Sequence, residues 1–255
     1  MMDWIIPVWP APHNIKALFT TCKGGINRDS YSIYGGFNLG DHVGDDPDVV
    51  QKNRAQLCQY LPQEPRWLTQ VHKNRPVWVD TISSDGRPEG DAAISRHNGV
   101  VCAILVADCL PVFLCDEAGS VVAIAHAGWR GLASGIIENT IRAMRQHSKS
   151  KQIIAWLGPA IGPQYFEVGK EVRSIFIQSD SQSANAFTET GKHGKYYADL
   201  FQLARQRLAK VGVDQVSGGE LCTFSDVDRF YSYRRDGPTG RMAALLWMTP
   251  GSSNG

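Results

Sequence analysis

The stretch VVCAILVADCLPVFLCDEAGSVVAIAHAGWRG, residues 100–131, decides how this chain is read. Three apolar runs follow one another in it, at 100–107, 111–115 and 121–126. None alternates polar with apolar residues as a half-exposed strand would, so each reads as a strand covered on both faces. The breaks between the runs carry reactive side chains. Asp108 and Cys109 separate the first two, and His126 ends the third, just before the glycine-flanked turn Gly128 to Gly131.

Outward from this centre, further strands are expected at 16–21, 66–71, 76–80, 153–157 and 241–248. Helices are expected at 46–61, 134–147, 169–177 and 197–211. The first opens with Asp46-Pro47, a capping residue followed by a proline suited to the first turn. The second carries Ile137, Ile141 and Met144 on one stripe, and the fourth can stop at Gly212. Gln178 to Gly194 is polar and reads as a long surface loop. Strands outnumber helices without alternating with them. The expected fold is therefore α+β, one domain over 1–255 with mixed β-sheets flanked by helices.

Composition narrows the function. The chain has 255 residues with 26 Lys and Arg against 25 Asp and Glu. Its strongest basic spot, Arg234-Arg235, is too small for a nucleic-acid track, so no nucleic-acid partner is expected. No apolar run approaches the roughly 18 residues of a membrane span, so no membrane partner is expected either. The six cysteines (22, 58, 102, 109, 115, 222) include no CxxC pair, which fits reduced thiols and a cytoplasmic location. Gly251 to Gly255 matches GxSxG in letters but lacks the strand and helix of a nucleophile elbow.

His72, Cys109 and His126 each stand where an apolar run ends. Two imidazoles and a thiolate can bind zinc and leave a fourth position open, the pattern of a catalytic centre. From spacing alone, a core cysteine and two surface histidines remain the competing reading. The HExxH and HxE…PCxxC signatures are absent. Asp108 is a candidate proton carrier, or else a turn cap. Arg54 lies on the apolar face of the first helix, where it either snorkels or reaches a carboxylate or bound phosphate. Arg130, before a helix start, is a second candidate for an anion, or else an exposed loop charge. The glycine-rich segments 23–25, 34–40 and 42–46 match neither a P-loop nor a dinucleotide fingerprint.

Seven segments resemble one family in order and nearly end to end. They are GGFNLGDHVGDDPDVVQKNR (35–54), WLTQVH (67–72), ADCLPV (107–112), AHAGWRG (125–131), LGPAIGPQYFEVG (157–169), YYADL (196–200) and YSYRRDGPTGRMAALLW (231–247). The family is the bacterial YfiH-like laccase-domain family, also called polyphenol oxidase or multifunctional purine nucleoside phosphorylase. Lys73-Asn74 and Gln164 depart from its pattern, and none of them is a ligand position. The resemblance implies His72, Cys109 and His126 as metal ligands and a fold similar to cysteine-hydrolase-like toxin domains. It implies phosphorolysis of adenosine, inosine and methylthioadenosine, with adenosine deamination beside it. The expected partners are then a purine nucleoside and phosphate, the latter held by Arg54 and Arg130. Zinc is the expected cofactor, with copper as the alternative. Three competing roles are a copper polyphenol oxidase, a metal or thiol hydrolase editing peptidoglycan precursors, and a non-enzymatic interaction module.

Overall fold

The computed structural model describes residues 3–26, 33–83 and 86–251. In chain order its strands are β1 (Ile15–Phe19), β2 (Pro76–Trp78), β3 (Ala92–Ser95), β4 (Cys102–Val106), β5 (Leu110–Asp116), β6 (Val122–Ala127), β7 (Ile153–Leu157), β8 (Glu167–Gly169), β9 (Phe187–Glu189), β10 (Lys195–Ala198), β11 (Gln215–Gly218) and β12 (Met242–Met248). Its helices are α1 (Pro47–Cys58), α2 (Trp129–Ser134), α3 (Ile136–His147), α4 (Lys170–Ser179), α5 (Leu200–Lys210) and α6 (Tyr233–Asp236). The class is mixed α+β. The last four residues, 252–255, hold most of the GxSxG match and lie outside the described residues.

The strands form a six-stranded sheet in the order β11-β7-β5-β6-β3-β2, a three-stranded sheet β1-β12-β4, and a small sheet β8-β10-β9. Side chains two apart share a face of a strand. On β5, Leu110, Val112 and Leu114 join a core cluster with Ile136, Ile137, Ile141 and Met144 of α3 and with Leu203, Ala204 and Leu208 of α5. Their neighbours Phe113 and Cys115 point the other way, into a cluster with Cys102, Ile104 and Val106 of β4 and Met242, Ala244 and Leu246 of β12. The outer face of the small β4 sheet carries Ala103, Leu105, Ala243 and Leu245, covered by Phe37, Leu39, Leu57 of α1 and Trp67. Helices, sheet, sheet and α1 thus stack in layers. The uninterrupted apolar runs follow from this, since both faces of the central strands are inside.

Several expectations change. The expected strand 66–71 forms only isolated bridges, Arg66 to Cys102 and Thr69 to Glu89. Its backbone is held by a side chain instead, because the Gln70 amide accepts from Leu105 N at 2.7 Å and donates to Leu105 O at 2.9 Å. The expected helix 134–147 is α3, and a short additional helix, α2, precedes it, the two separated at Gly135, which adopts the left-handed conformation at φ 91°. The expected loop 178–194 contains a 3-10 turn at Ser181–Ala186 and strand β9. Strands β3, β8, β10 and β11 are additional to the sequence reading.

The turn between β5 and β6 is organised by Asp116, whose side chain is fully buried. It accepts from Ser120 N, Ser120 Oγ, Val121 N and Ser148 Oγ at 2.5–2.9 Å. Burial pushes its carboxyl up, but these donors outweigh burial and hold it below the usual carboxylate range. Its contribution is therefore full above about pH 4, the unfolded value, and is lost as pH falls through the lower folded value. Asp116→Asn should lower unfolding stability at neutral pH by about 1–3 kcal/mol in urea titrations. The gap to the native chain should narrow in acid, and a gap that stays constant would contradict this role.

Candidate metal centre

Strand register brings the three expected ligands together. In the β5–β6 pairing Leu110 faces Ala127 and Pro111 faces His126, so Cys109 comes to lie beside Gly128. In the β3–β6 pairing Ala92 faces Ala125, which sets Asp91 beside His126. Asp91 is fully buried. Its carboxylate accepts from His126 Nδ1 at 2.9 Å and from the backbone N–H groups of Val71, His72 and Lys73 at 3.3, 2.9 and 2.8 Å. One carboxylate thus fixes the His126 ring and folds the 71–73 loop, placing His72 at φ 58°. With Nδ1 engaged, His126 turns Nε2 towards the cluster.

The ligand atoms of His72, Cys109 and His126 lie within 4.8 Å of one another. Cys109 Sγ is 4.0 Å from His72 Nε2, and the imidazole rings meet edge to face with centroids 4.7 Å apart. Zinc bonds of about 2.0–2.3 Å give tetrahedral edges of about 3.5 Å, so one ion fits with little movement. Burial pushes the Cys109 thiol up, but the His126 charge and hydrogen bonds from His126 and His72 outweigh it and bring it down to about 6. A thiolate is the ligating form. The donors present, two nitrogens and a sulfur with one face open, suit zinc or copper.

Gly128 is required by close packing. A Cβ there would stand 2.8 Å from Cys109 Sγ and 3.6 Å from His72 Cδ2.

The centre opens into a pocket of about 360 Å³. Its walls include Asp41, His42, Gln70, Arg87 and Arg241 besides the three ligands. Arg54 reaches inward, one of the two options left open by its place on α1. Its Nε and Nη2 donate to Leu39 O at 3.0 and 2.8 Å, Nη2 stands 3.2 Å from Asp41, and the guanidinium lies over Trp67. Asp41 also pairs with Arg87. The structure places two candidates elsewhere. Asp108 lies outside this wall, with Oδ1 accepting from Thr223 Oγ1 at 2.6 Å and Oδ2 from Ser232 Oγ at 3.0 Å and Arg234 N at 2.6 Å. It braces the connection between the two sheets at φ 86°, and both of its oxygens accept hydrogen bonds there, the turn-capping option of its two sequence readings. Arg130 is exposed and lies over its neighbour Trp129, away from the pocket wall. Asp41, Arg87, Asp91 and Arg241 were not singled out by the sequence. The one available signal was Asp91 at the head of the apolar run Ala92 to Ile94, since an acidic residue there mirrors Asp108 at the end of β4.

Gly128→Ala should fold normally by circular dichroism yet bind zinc at least about tenfold more weakly, because the added methyl displaces the sulfur. Asp91→Asn should weaken zinc by about 10–100-fold, as loss of a histidine-orienting partner does. Competition with a chromophoric chelator measures both, and unchanged affinity in either variant would contradict the assigned packing.

Comparison with known proteins places the chain in a family. A family model described as multi-copper polyphenol oxidoreductase laccase matches residues 16–249. A protein of Escherichia coli (strain K12) named purine nucleoside phosphorylase YfiH is 46% identical over 254 residues, covering 97% of this chain and 100% of that one. A purine nucleoside phosphorylase of Pseudomonas aeruginosa is 45% identical, covering 97% of this chain and 99% of its own length. The crystal structure of a Neisseria meningitidis protein superposes with a TM-score of 0.90 at 45% identity, covering 97% of this chain and 99% of that one. With matching sequence, matching fold and the same full-length span, this chain belongs to the YfiH-like laccase-domain family.

Proposed function

We propose that the chain is a zinc-dependent purine nucleoside phosphorylase acting on adenosine, inosine and methylthioadenosine, with adenosine deamination at the same centre. The observation that supports this most is the pocket itself. It joins an open two-histidine, one-cysteine donor set to a wall carrying guanidinium groups. Relatives named purine nucleoside phosphorylase, at 43–46% identity, add weight to it.

In phosphorolysis a phosphate oxygen attacks C1′ of the ribose, the C1′–N9 bond breaks, and the purine leaves with the bond's electron pair. Zinc, held by His72, Cys109 and His126, would supply a Lewis acid at the pocket floor. Asp91 keeps the two histidines oriented. Arg87 and Arg241 line the same pocket and would present positive charge to the phosphate there. Arg54 holds Asp41, which in turn holds Arg87. Burial and the nearby Arg241 charge hold His42 below its ordinary range, so it enters the reaction neutral.

A second reading draws on the family description, which names a polyphenol oxidoreductase. The same three ligands would hold one copper ion. Among the described residues a single metal-binding group of this kind is found, whereas a multicopper oxidase relies on several clustered sites.

Metal-loaded protein given adenosine should release adenine and ribose 1-phosphate only when phosphate is present, with some inosine formed regardless. Cys109→Ala should lose all three products. Chromatography of the products decides this. Adenine release without phosphate would contradict phosphorolysis, and phenol oxidation by the copper-loaded protein alone would favour the second reading.

A further inference from the structure

Asp41, Arg87 and Arg241 line the pocket beside the metal centre, and Arg54 pairs with Asp41 from outside that lining. Each arginine is engaged differently. Arg54 is largely buried and fully occupied, held by Leu39 O, by Asp41 Oδ1 and by the face of Trp67. Arg87 is half exposed, and among the described residues its charged partner is Asp41 Oδ2. Arg241 is fixed from its far side, where Nη1 donates to Thr239 O and Gly240 O at 2.8 and 3.0 Å. No protein partner among the described residues takes its Nε or Nη2. Its stem lies across Gly40, where a Cβ would stand 2.7 Å from Arg241 Cγ. The guanidinium lies over the Tyr233 ring, and the residue lines the same pocket as Asp41 and Arg87.

Among the carboxylates of the described residues, Asp41 is the one that lines this pocket together with Arg87 and Arg241. A tetrahedral dianion offers oxygens that the fork of a guanidinium matches. The seat nearest Arg87 is already filled, by a carboxylate of this same chain. Asp41 is gripped from opposite sides by Arg54 and Arg87, through different oxygens. It can therefore give up Arg87 and keep Arg54.

Resting on the phosphorylase reading above, we propose that Asp41 is a resident stand-in for phosphate. Inorganic phosphate enters by taking Arg87 from Asp41 and completes its seat with the free edge of Arg241. Asp41 retains Arg54 and so keeps the wall of the pocket in place. Without ligand, Asp41 neutralises Arg87 and holds it over the pocket. Its negative charge also opposes a second anion nearby, which tunes the affinity for phosphate downwards and eases release of the phosphorylated product.

The test uses zinc-loaded full-length protein and inorganic phosphate alone, titrated by isothermal calorimetry. Asp41→Asn removes the competing charge and should bind phosphate at least about tenfold more tightly, since a unit charge a few ångströms from a dianion is worth at least that much even at the dielectric constant of water. Arg241→Gln leaves the Asp41 pairs intact and should bind at least about tenfold more weakly. Zinc content and circular dichroism should match the native protein for both. If native protein binds phosphate but Asp41→Asn binds it equally or more weakly while folded, the stand-in role is overturned and phosphorolysis survives. If Asp41→Asn does not fold, Arg241→Gln decides, and unchanged affinity there overturns the proposed seat. If native protein shows no phosphate binding with its zinc in place, the proposal falls together with the phosphorylase reading.

Discussion

The Asp91 carboxylate is the constraint on which the candidate site depends. It is inaccessible to solvent, yet it receives three backbone N–H groups and one imidazole N–H. A buried carboxylate left without partners would be costly, so this arrangement specifies one conformation for everything that touches it. The 71–73 loop has no ladder of its own and takes its shape from these bonds. His126 takes its ring orientation from the same group. Strand register then supplies Cys109, because β5 pairs with β6 immediately beyond it. Three ligands distant in sequence converge through one hydrogen-bonding centre and one pair of strands.

The layered core sets where this can happen. Strand β4 belongs to the three-stranded sheet and β5 to the six-stranded sheet, so the chain changes layers between Val106 and Leu110. The connection is three residues long and contains Asp108 at positive φ. Thr223, Ser232 and the backbone of Arg234 hold that carboxylate. Cys109 therefore sits at a rigid corner between layers, where a ligand can be both half-buried and open to a cavity. The same corner accounts for Gly128, since two backbones and a sulfur meet there.

Much of this was legible in the sequence wherever burial alone decided the outcome. The runs that became β4, β5, β6, β7 and β12 are apolar on both faces, and the sequence marks them within a residue or two. The reactive residues at their ends were visible for the same reason. What escaped depended on partners far away in the chain. Residues 66–71 look like a strand, but their backbone bonds to Val101 and to bridges, and Gln70 takes the place of a neighbouring strand. β3, β8, β10 and β11 are three or four residues long, too short for a periodic signal. Arg130 resembled an anion site from its glycine neighbours, yet the six-residue α2 directs it to the surface. Arg87 and Arg241 sit in loops with no local pattern, and only the fold brings them into the same pocket as the ligands.

The central claim is that His72, Cys109 and His126 hold one metal ion in an open site. Anomalous scattering from crystals of the purified protein, recorded on either side of the zinc absorption edge, tests it most directly. The account predicts a single peak per chain, bonded to His72 Nε2, Cys109 Sγ and His126 Nε2 at about 2.0–2.3 Å, with a fourth position filled from solvent. A peak elsewhere, a fourth protein ligand closing the site, or several clustered metal peaks would contradict it.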